Sequence, residues 1–284
     1  MARGSLCLLV ILYALARVTQ AFPDRIPVLA ISALHILIPL IFVAIHGSRV
    51  YRVRDIAVFM LICFAVGNIF ENLSILTGFP FGHYHFTEVM GPKLLNVPIL
   101  LGLAYIGIGY VSWIVGGVIV GTVGRPLRGS RVFTTPLFAA FVMVDWDLSM
   151  DPIWCNLGRA WVWHDGGPWF GVPLSNFGGW YLTIWGIYQC FALYLRGRPK
   201  LSAPSSGVLK PAILMYGVCA AGNLLVGSPH GMTMVTDAAG MQWRVADMLG
   251  ASMLVSVFLM GALALAAWLR SGEEPLGSKE SADG

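Results

Sequence analysis

Five carboxylates stand inside otherwise apolar stretches of this 284-residue chain: Glu71, Asp145, Asp147, Asp151 and Asp247. An acid at membrane depth costs roughly 3 kcal/mol on insertion scales, so it usually serves pairing, transport or chemistry. Asp147 and Asp151 are four residues apart, which places them on one face of a helix, while Asp145 points elsewhere. Pro152 biases Asp151 away from helical geometry, so the helix is expected to end near Met150. Two close carboxyls in a dry site cannot both ionise cheaply, so one keeps its proton. A retained proton makes a general acid, and the ionised partner can accept a proton from water. That pairing suits an apolar substrate that is protonated and then captured by water.

The helix dipole separates these acids. It favours a carboxylate at a helix N-terminus and opposes one at a C-terminus, by about 0.3–1 kcal/mol where exposed. Asp247 begins an apolar stretch, so dipole matching accounts for it; Glu71, Asp147 and Asp151 approach the far ends of theirs. Glu71 has Asn68 and Asn72 beside it, which leaves two readings open: a hydrogen bond to a neighbouring helix, or chemistry. Trp146, Trp154, Trp161, Trp163, Trp169, Trp180 and Trp185 surround the Asp-rich segment. Most fit an interfacial aromatic belt, and one or two facing the acids would stabilise a cation through the ring quadrupole.

Other chemistries find less support. His83 and His85 alternate in an aromatic loop and with Glu71 could be written as a metal site, but two loop histidines are weak ligands-in-waiting, and no metal is assigned. His164 and His230 lack metal-ligand spacing, and the chain has none of the His-rich boxes of membrane di-iron hydroxylases. No glycine-rich nucleotide fingerprint or P-loop occurs. Gly102, Gly107 and Gly109 lie inside an apolar stretch, where small residues permit close helix packing. A redox-neutral reaction without a cofactor is expected.

The elements that must position these groups are membrane helices. Hydrophobic residues make up 57% of the chain and charged residues 11%, against roughly a quarter charged in soluble domains; the mean hydropathy is +0.75. A span takes about 20 mostly apolar residues. Eight stretches qualify or nearly so: 6–22, 26–46, 56–76, 97–123, 132–150, 178–195, 208–226 and 245–269. The expected fold is therefore all-α: a polytopic membrane helical bundle of about eight transmembrane helices, occupying residues 1–270, with a disordered cytoplasmic tail at 271–284. Arg3, the run 6–15 and Thr19-Gln20-Ala21 also resemble a cleavable signal, which would leave seven spans; a retained first helix is the reading adopted.

With eight spans, thirteen Lys and Arg fall on one side and four on the other, so the positive-inside rule puts both termini in the cytoplasm, as expected of a multi-pass inner-membrane protein. The basic loops suit anionic lipid rather than nucleic acid. The opposite loops, 77–96, 151–177 and 227–244, are longer, aromatic and rich in Gly and Pro. Sites concentrate on such loops, and Glu71, the Asp cluster, Asn176 and Asn223 fall at the same depth. Five scattered cysteines form no disulfide framework.

Long motifs from about residue 67 to 185 carry a resemblance. Glu71-Asn72 leads into Gly78-Phe79-Pro80-Phe81-Gly82 and Tyr84. There follow Val97-Pro98 with Gly102-Leu103-Ala104-Tyr105, then Asp145-Trp146-Asp147-Leu148 with Met150-Asp151-Pro152. Gly171-Val172-Pro173-Leu174-Ser175-Asn176-Phe177 with Gly179-Trp180 completes the set. Together they resemble the integral-membrane carotenoid hydratases, which include bisanhydrobacterioruberin hydratase and the related end-group hydratase. Phe86 stands where Tyr is common in that family. The resemblance implies a lipid-dissolved carotenoid substrate, membrane lipids and other carotenoid-pathway enzymes as partners, and hydration of a terminal isoprenoid double bond to a tertiary alcohol. The residues expected to carry it are Asp147 and Asp151 as the acid/base pair, with Glu71 positioning water or serving as the acid. Asn72, Tyr84, Tyr105, Trp146, Trp154 and Asn176 are the expected substrate-binding set. The rival readings are a proton-coupled or lipid-handling transporter and a membrane prenyltransferase. The latter lacks a second Asp-rich motif and puts its acids away from cytoplasmic diphosphates.

Overall fold

Backbone polar groups have no water to bond in a bilayer, so apolar stretches of this length must satisfy them internally as helices. The computed structural model, which describes residues 2–196, 198, 204–227 and 233–272, shows eight such helices. They are α1 (Ala2–Val18), α2 (Val28–Val50), α3 (Val53–Thr77), α4 (Ile99–Val120), α5 (Arg131–Asn156), α6 (Leu174–Arg196), α7 (Ser206–Gly222) and α8 (Val245–Ser271). All but α6 are long and apolar enough to cross a membrane; α6 has the length, at 23 residues, but more polar groups. The polar tail from 273, His230 and Lys200 lie outside the described residues.

The helices alternate in direction. At one end Arg49 of α2 donates to Ser5 of α1, His46 of α2 meets the Val208 carbonyl of α7 at 2.7 Å, and Tyr194 of α6 donates to Asp55 of α3 at 2.8 Å. At the other end the chain adds short antiparallel ribbons: β1 (Tyr84–Phe86) pairs with β4 (Trp161–Trp163), β2 (Lys93–Leu94) with β3 (Val97–Pro98), and β5 (Met234–Thr236) with β6 (Gln242–Arg244). Helix α4 is central. Its apolar stretch is 78% buried, against 28–56% in the other candidate spans, and it touches α2, α3, α5, α7 and α8. Small residues permit that crowding: a Cβ on Gly107 would come within 2.9 Å of Pro39 on α2.

Two expectations are corrected. Helix α5 does not end near Met150 but continues to Asn156, with Asp151 helical and Pro152 inside it. Pro152 has no N–H for the Leu148 carbonyl, and the indole of Trp169 donates to that carbonyl at 3.0 Å instead. Pro136 is accommodated in the same way, because Gln189 donates to the Val132 carbonyl at 3.2 Å. Both cases show a neighbouring side chain replacing the bond a membrane proline deletes. Helix α6, in turn, starts at Leu174 rather than 178, so Asn176 lies in its first turn instead of before it.

Helix α1 is tied into the bundle at its far end. Arg17, 5% exposed, donates to Asn223 and, at 3.2 Å, to the Cys219 carbonyl; Gln20 donates to the Gly222 carbonyl at 2.5 Å. Asn223 passes the tie on to Ser149 of α5 and Ser256 of α8, each at 2.9 Å. Ser256 opens a π-helical turn, Ser256–Gly261, within α8. Asn223 is thus part of an interhelical polar knot.

Candidate functional site

Asp147 and Asp151, both fully buried, project from α5 toward the start of α6. There the Asn176 amide nitrogen donates to Asp147 Oδ2 at 2.9 Å and to Asp151 Oδ2 at 2.7 Å. The other oxygen of Asp151 receives two indole N–H groups, from Trp161 at 2.7 Å and Trp163 at 3.3 Å. Asp147 Oδ1 and Asn176 Oδ1 are buried and have no partner among the described residues. The two acids therefore differ. Asp151 has donors on both oxygens, the arrangement of an accepting carboxylate, whereas Asp147, which also lines the cavity, has one oxygen without a donor.

Glu71 enters from α3, also buried, and holds two phenols: Tyr105 of α4 donates to Oε1 at 2.5 Å and Tyr84 of β1 donates to Oε2. Burial, and then the Glu71 carboxylate, keep the Tyr84 phenol well above its ordinary pKa, so it remains a donor. The ring of Tyr105 lies flat on Trp180 at 4.8 Å between centroids.

Local sequence explains why these groups meet. Alternation along β1 and β4 turns Tyr84, Phe86, Trp161 and Trp163 inward and leaves His85 and Val162 outside. The ribbon thus roofs the acids with four aromatic rings. The Gly78–Gly82 turn, with its cis Phe79–Pro80 bond, is pinned from both sides: Phe81 N–H donates to Ser74 Oγ at 3.1 Å, and Ser175 Oγ donates to the Phe81 carbonyl at 2.8 Å. It lies directly on Gly179, where a Cβ would fall 2.8 Å from the Pro80 carbonyl oxygen.

The three acids, Asn176, Tyr84 and the rings of Trp161, Trp163 and Trp180 surround a cavity of about 20 Å³, enough for a single water. A second cavity, of about 70 Å³, shares Leu101, Met150 and Trp161 with it. Its walls are mainly apolar and include Ile36, Ala104 and Ile108, with Arg17 and His35 at its border. One helix serves both chambers. Trp146, Met150 and Trp154, spaced by four, face the apolar cavity, while Asp147 and Asp151 occupy the adjoining face.

The chemistry available here is proton transfer in a dry, aromatic pocket beside an apolar chamber. Residues 31–239 of the chain match the family described as carotenoid biosynthesis protein. The chain belongs to that family. No curated protein and no solved structure matches it. Membership of the carotenoid biosynthesis family implies carotenoid substrates, and the matched range contains all three acids and the aromatic ribbon.

Most of the expected residues gather at this point in the carotenoid biosynthesis fold: Glu71, Tyr84, Tyr105, Asp147, Asp151 and Asn176 around the acids, and Trp146 and Trp154 on the apolar cavity. Asn72 does not join them. Its amide donates to the Asn68 carbonyl at 2.8 Å and accepts from Asn96 N–H at 3.1 Å, fastening the loop before β3. Asp145 is half-buried and lines neither cavity. Asp247 is exposed and pairs with Arg244 at 3.0 Å. His85 meets His164 at 2.7 Å on the outside of the ribbon, where partial burial and then His164 hold its imidazole below the ordinary range. Leu101 lines the site without having been singled out, since an apolar residue in an apolar chain carries no distinguishing signal; Phe81 and Met150, which also line it, stand in the motifs without an assigned role. The same holds for the role of Trp161 and Trp163, although the Trp-x-Trp alternation could have shown that both indoles share one side.

Proposed function

We propose that the protein is a carotenoid hydratase that adds water across a terminal isoprenoid C=C of an acyclic carotenoid end, giving a tertiary hydroxyl. The observation that carries this reading is the unequal treatment of two adjacent acids bridged by Asn176: Asp147 has a free oxygen and Asp151 has none. The polyene end lies in the apolar cavity and reaches the acids past Leu101 and Met150. Asp147 gives its proton to the less substituted alkene carbon, and the C=C electron pair forms the new C–H bond. The tertiary cation left behind faces the rings of Trp161, Trp163 and Trp180 and the Asp151 carboxylate. Water adds through its oxygen, and its surplus proton passes to Asp151. Exchange of one proton between the acids resets the pair. Glu71, with both oxygens occupied by phenols, acts by fixing Tyr84 against the cavity and Tyr105 beneath Trp180. No cofactor takes part in this scheme.

The same reading takes residues 1–270 as one membrane domain in the cell inner membrane, with both termini cytoplasmic and the site near the opposite face; other carotenoid-pathway enzymes would supply the substrate. Expression in a host that makes acyclic carotenoids, followed by mass analysis of the pigments, tests it. The expected result is a gain of one water per reacted end. An unchanged pigment profile with folded protein in the membrane would rule the hydratase out, and solute or proton flux in carotenoid-free proteoliposomes would favour a transporter.

A further inference from the structure

A third cavity, of about 90 Å³, is lined by Trp161, Val162 and Trp163 of β4, by the end of α5, and by Thr236, Asp237 and Ala238. Cys155, Asn156, Trp161 and Trp163 form its inner wall, and Arg159 and Asp237 stand among its polar lining toward the loops. Trp161 and Trp163 belong both to this wall and to the cavity that holds the acids. The cavity that holds the acids therefore shares walls both with a mainly apolar chamber and with one that carries more charged and amide side chains. Hydration needs such a division, because its two reactants have opposite solubilities.

Volume supports the assignment. A water needs about 10–15 Å³ of such space, so the loop-side cavity has room for several, against about one beside the acids. The partition between them is made by these two buried indoles, Trp163 against Tyr84 and Trp161 against Phe86. Both indoles donate to Asp151 Oδ1, but Trp163 does so at 3.3 Å against 2.7 Å for Trp161, which makes Trp163 the more weakly held.

We propose that the loop-side cavity is the water-binding site of the enzyme, and that water reaches Asp151 from it past Trp163. This inference rests on the hydratase reading. Water arriving by this route replaces the Trp163 N–H at Asp151 Oδ1, presents its oxygen to the cation and leaves its proton on that carboxylate. The polyene, entering from the apolar side, meets no competing stream of water before the proton has moved.

Cys155, buried on the inner wall, reports on access. Cys7 and Cys190 are exposed and would be replaced by serine. In that background, a charged water-soluble methanethiosulfonate is expected to label Cys155 in the folded protein and to lower kcat by about tenfold or more, with KM for the polyene nearly unchanged. Ala238→Trp, which fills the rim of the cavity from an exposed position, is expected to give the same split without any reagent. The proposal is overturned if Cys155 reacts only after unfolding, or if the labelled protein and Ala238→Trp both turn over at the parental rate; the hydratase reading survives either result. If the unlabelled protein forms no hydrated product, that reading fails and the water site goes with it.

Discussion

Asp147 and Asp151 stand one helical turn apart on α5 and share a single amide donor, the Asn176 nitrogen, at 2.9 and 2.7 Å. The pair survives next to a proline because Trp169 occupies the carbonyl that Pro152 leaves unbonded. One acid is free on one oxygen and the other is fully engaged, so their roles should separate on mutation.

Asp147→Asn removes the proton given to the alkene, and Asp151→Asn removes the acceptor of the proton that the added water releases. Each should lower the hydration rate by about 10²–10⁴-fold, the usual range for acid–base groups. The check is hydrated carotenoid formed per amount of folded protein. If Asp147→Asn retains full activity, the acid assignment is wrong.

Tyr84→Phe and Tyr105→Phe each take one donor from Glu71. A buried acceptor left unsatisfied costs about 1–3 kcal/mol, so each variant should melt earlier in detergent. Because both phenols act on one carboxylate, the double variant should depart from the sum of the single effects. Strict additivity would mean that Glu71 does not couple them.

Ala104→Leu adds three carbons to the wall of the apolar cavity. If the polyene lies there, KM should rise several-fold while kcat and the melting temperature hold, which steady-state kinetics on mixed micelles would resolve. A loss confined to kcat would place the substrate elsewhere.

Gly222→Val sets a Cβ against the Arg17 side chain, only 2.9 Å from its Cβ and Cγ. The tie between α1 and α7 must then break, and a loss of about 1–3 kcal/mol is expected from overpacking alone, read as a lower melting temperature. For the same reason the purified protein should keep its first 21 residues: cleavage after Ala21 would remove the donors to Asn223 Oδ1 and to the Cys219 and Gly222 carbonyls. Intact mass settles that point.

Hydropathy and residue order alone determined a good deal. Spans of about 20 apolar residues can only be helices in lipid, so the all-α bundle was readable, and with it the helix that carries each acid. Opposition to the helix dipole singled out Glu71, Asp147 and Asp151, and the four-residue spacing paired the last two. What needed the tertiary structure was everything set by partners distant in sequence. Whether Pro152 stops α5 depends on an indole at Trp169, and whether Asn176 bridges the acids depends on where α6 begins. Asn72 and Asn176 look alike as polar residues at one depth, yet one fastens a loop and the other spans the acids. Spacing along the chain specifies a face and a depth. Which faces meet, and what empty space they leave between an apolar chamber and a polar one, is decided only when the helices pack.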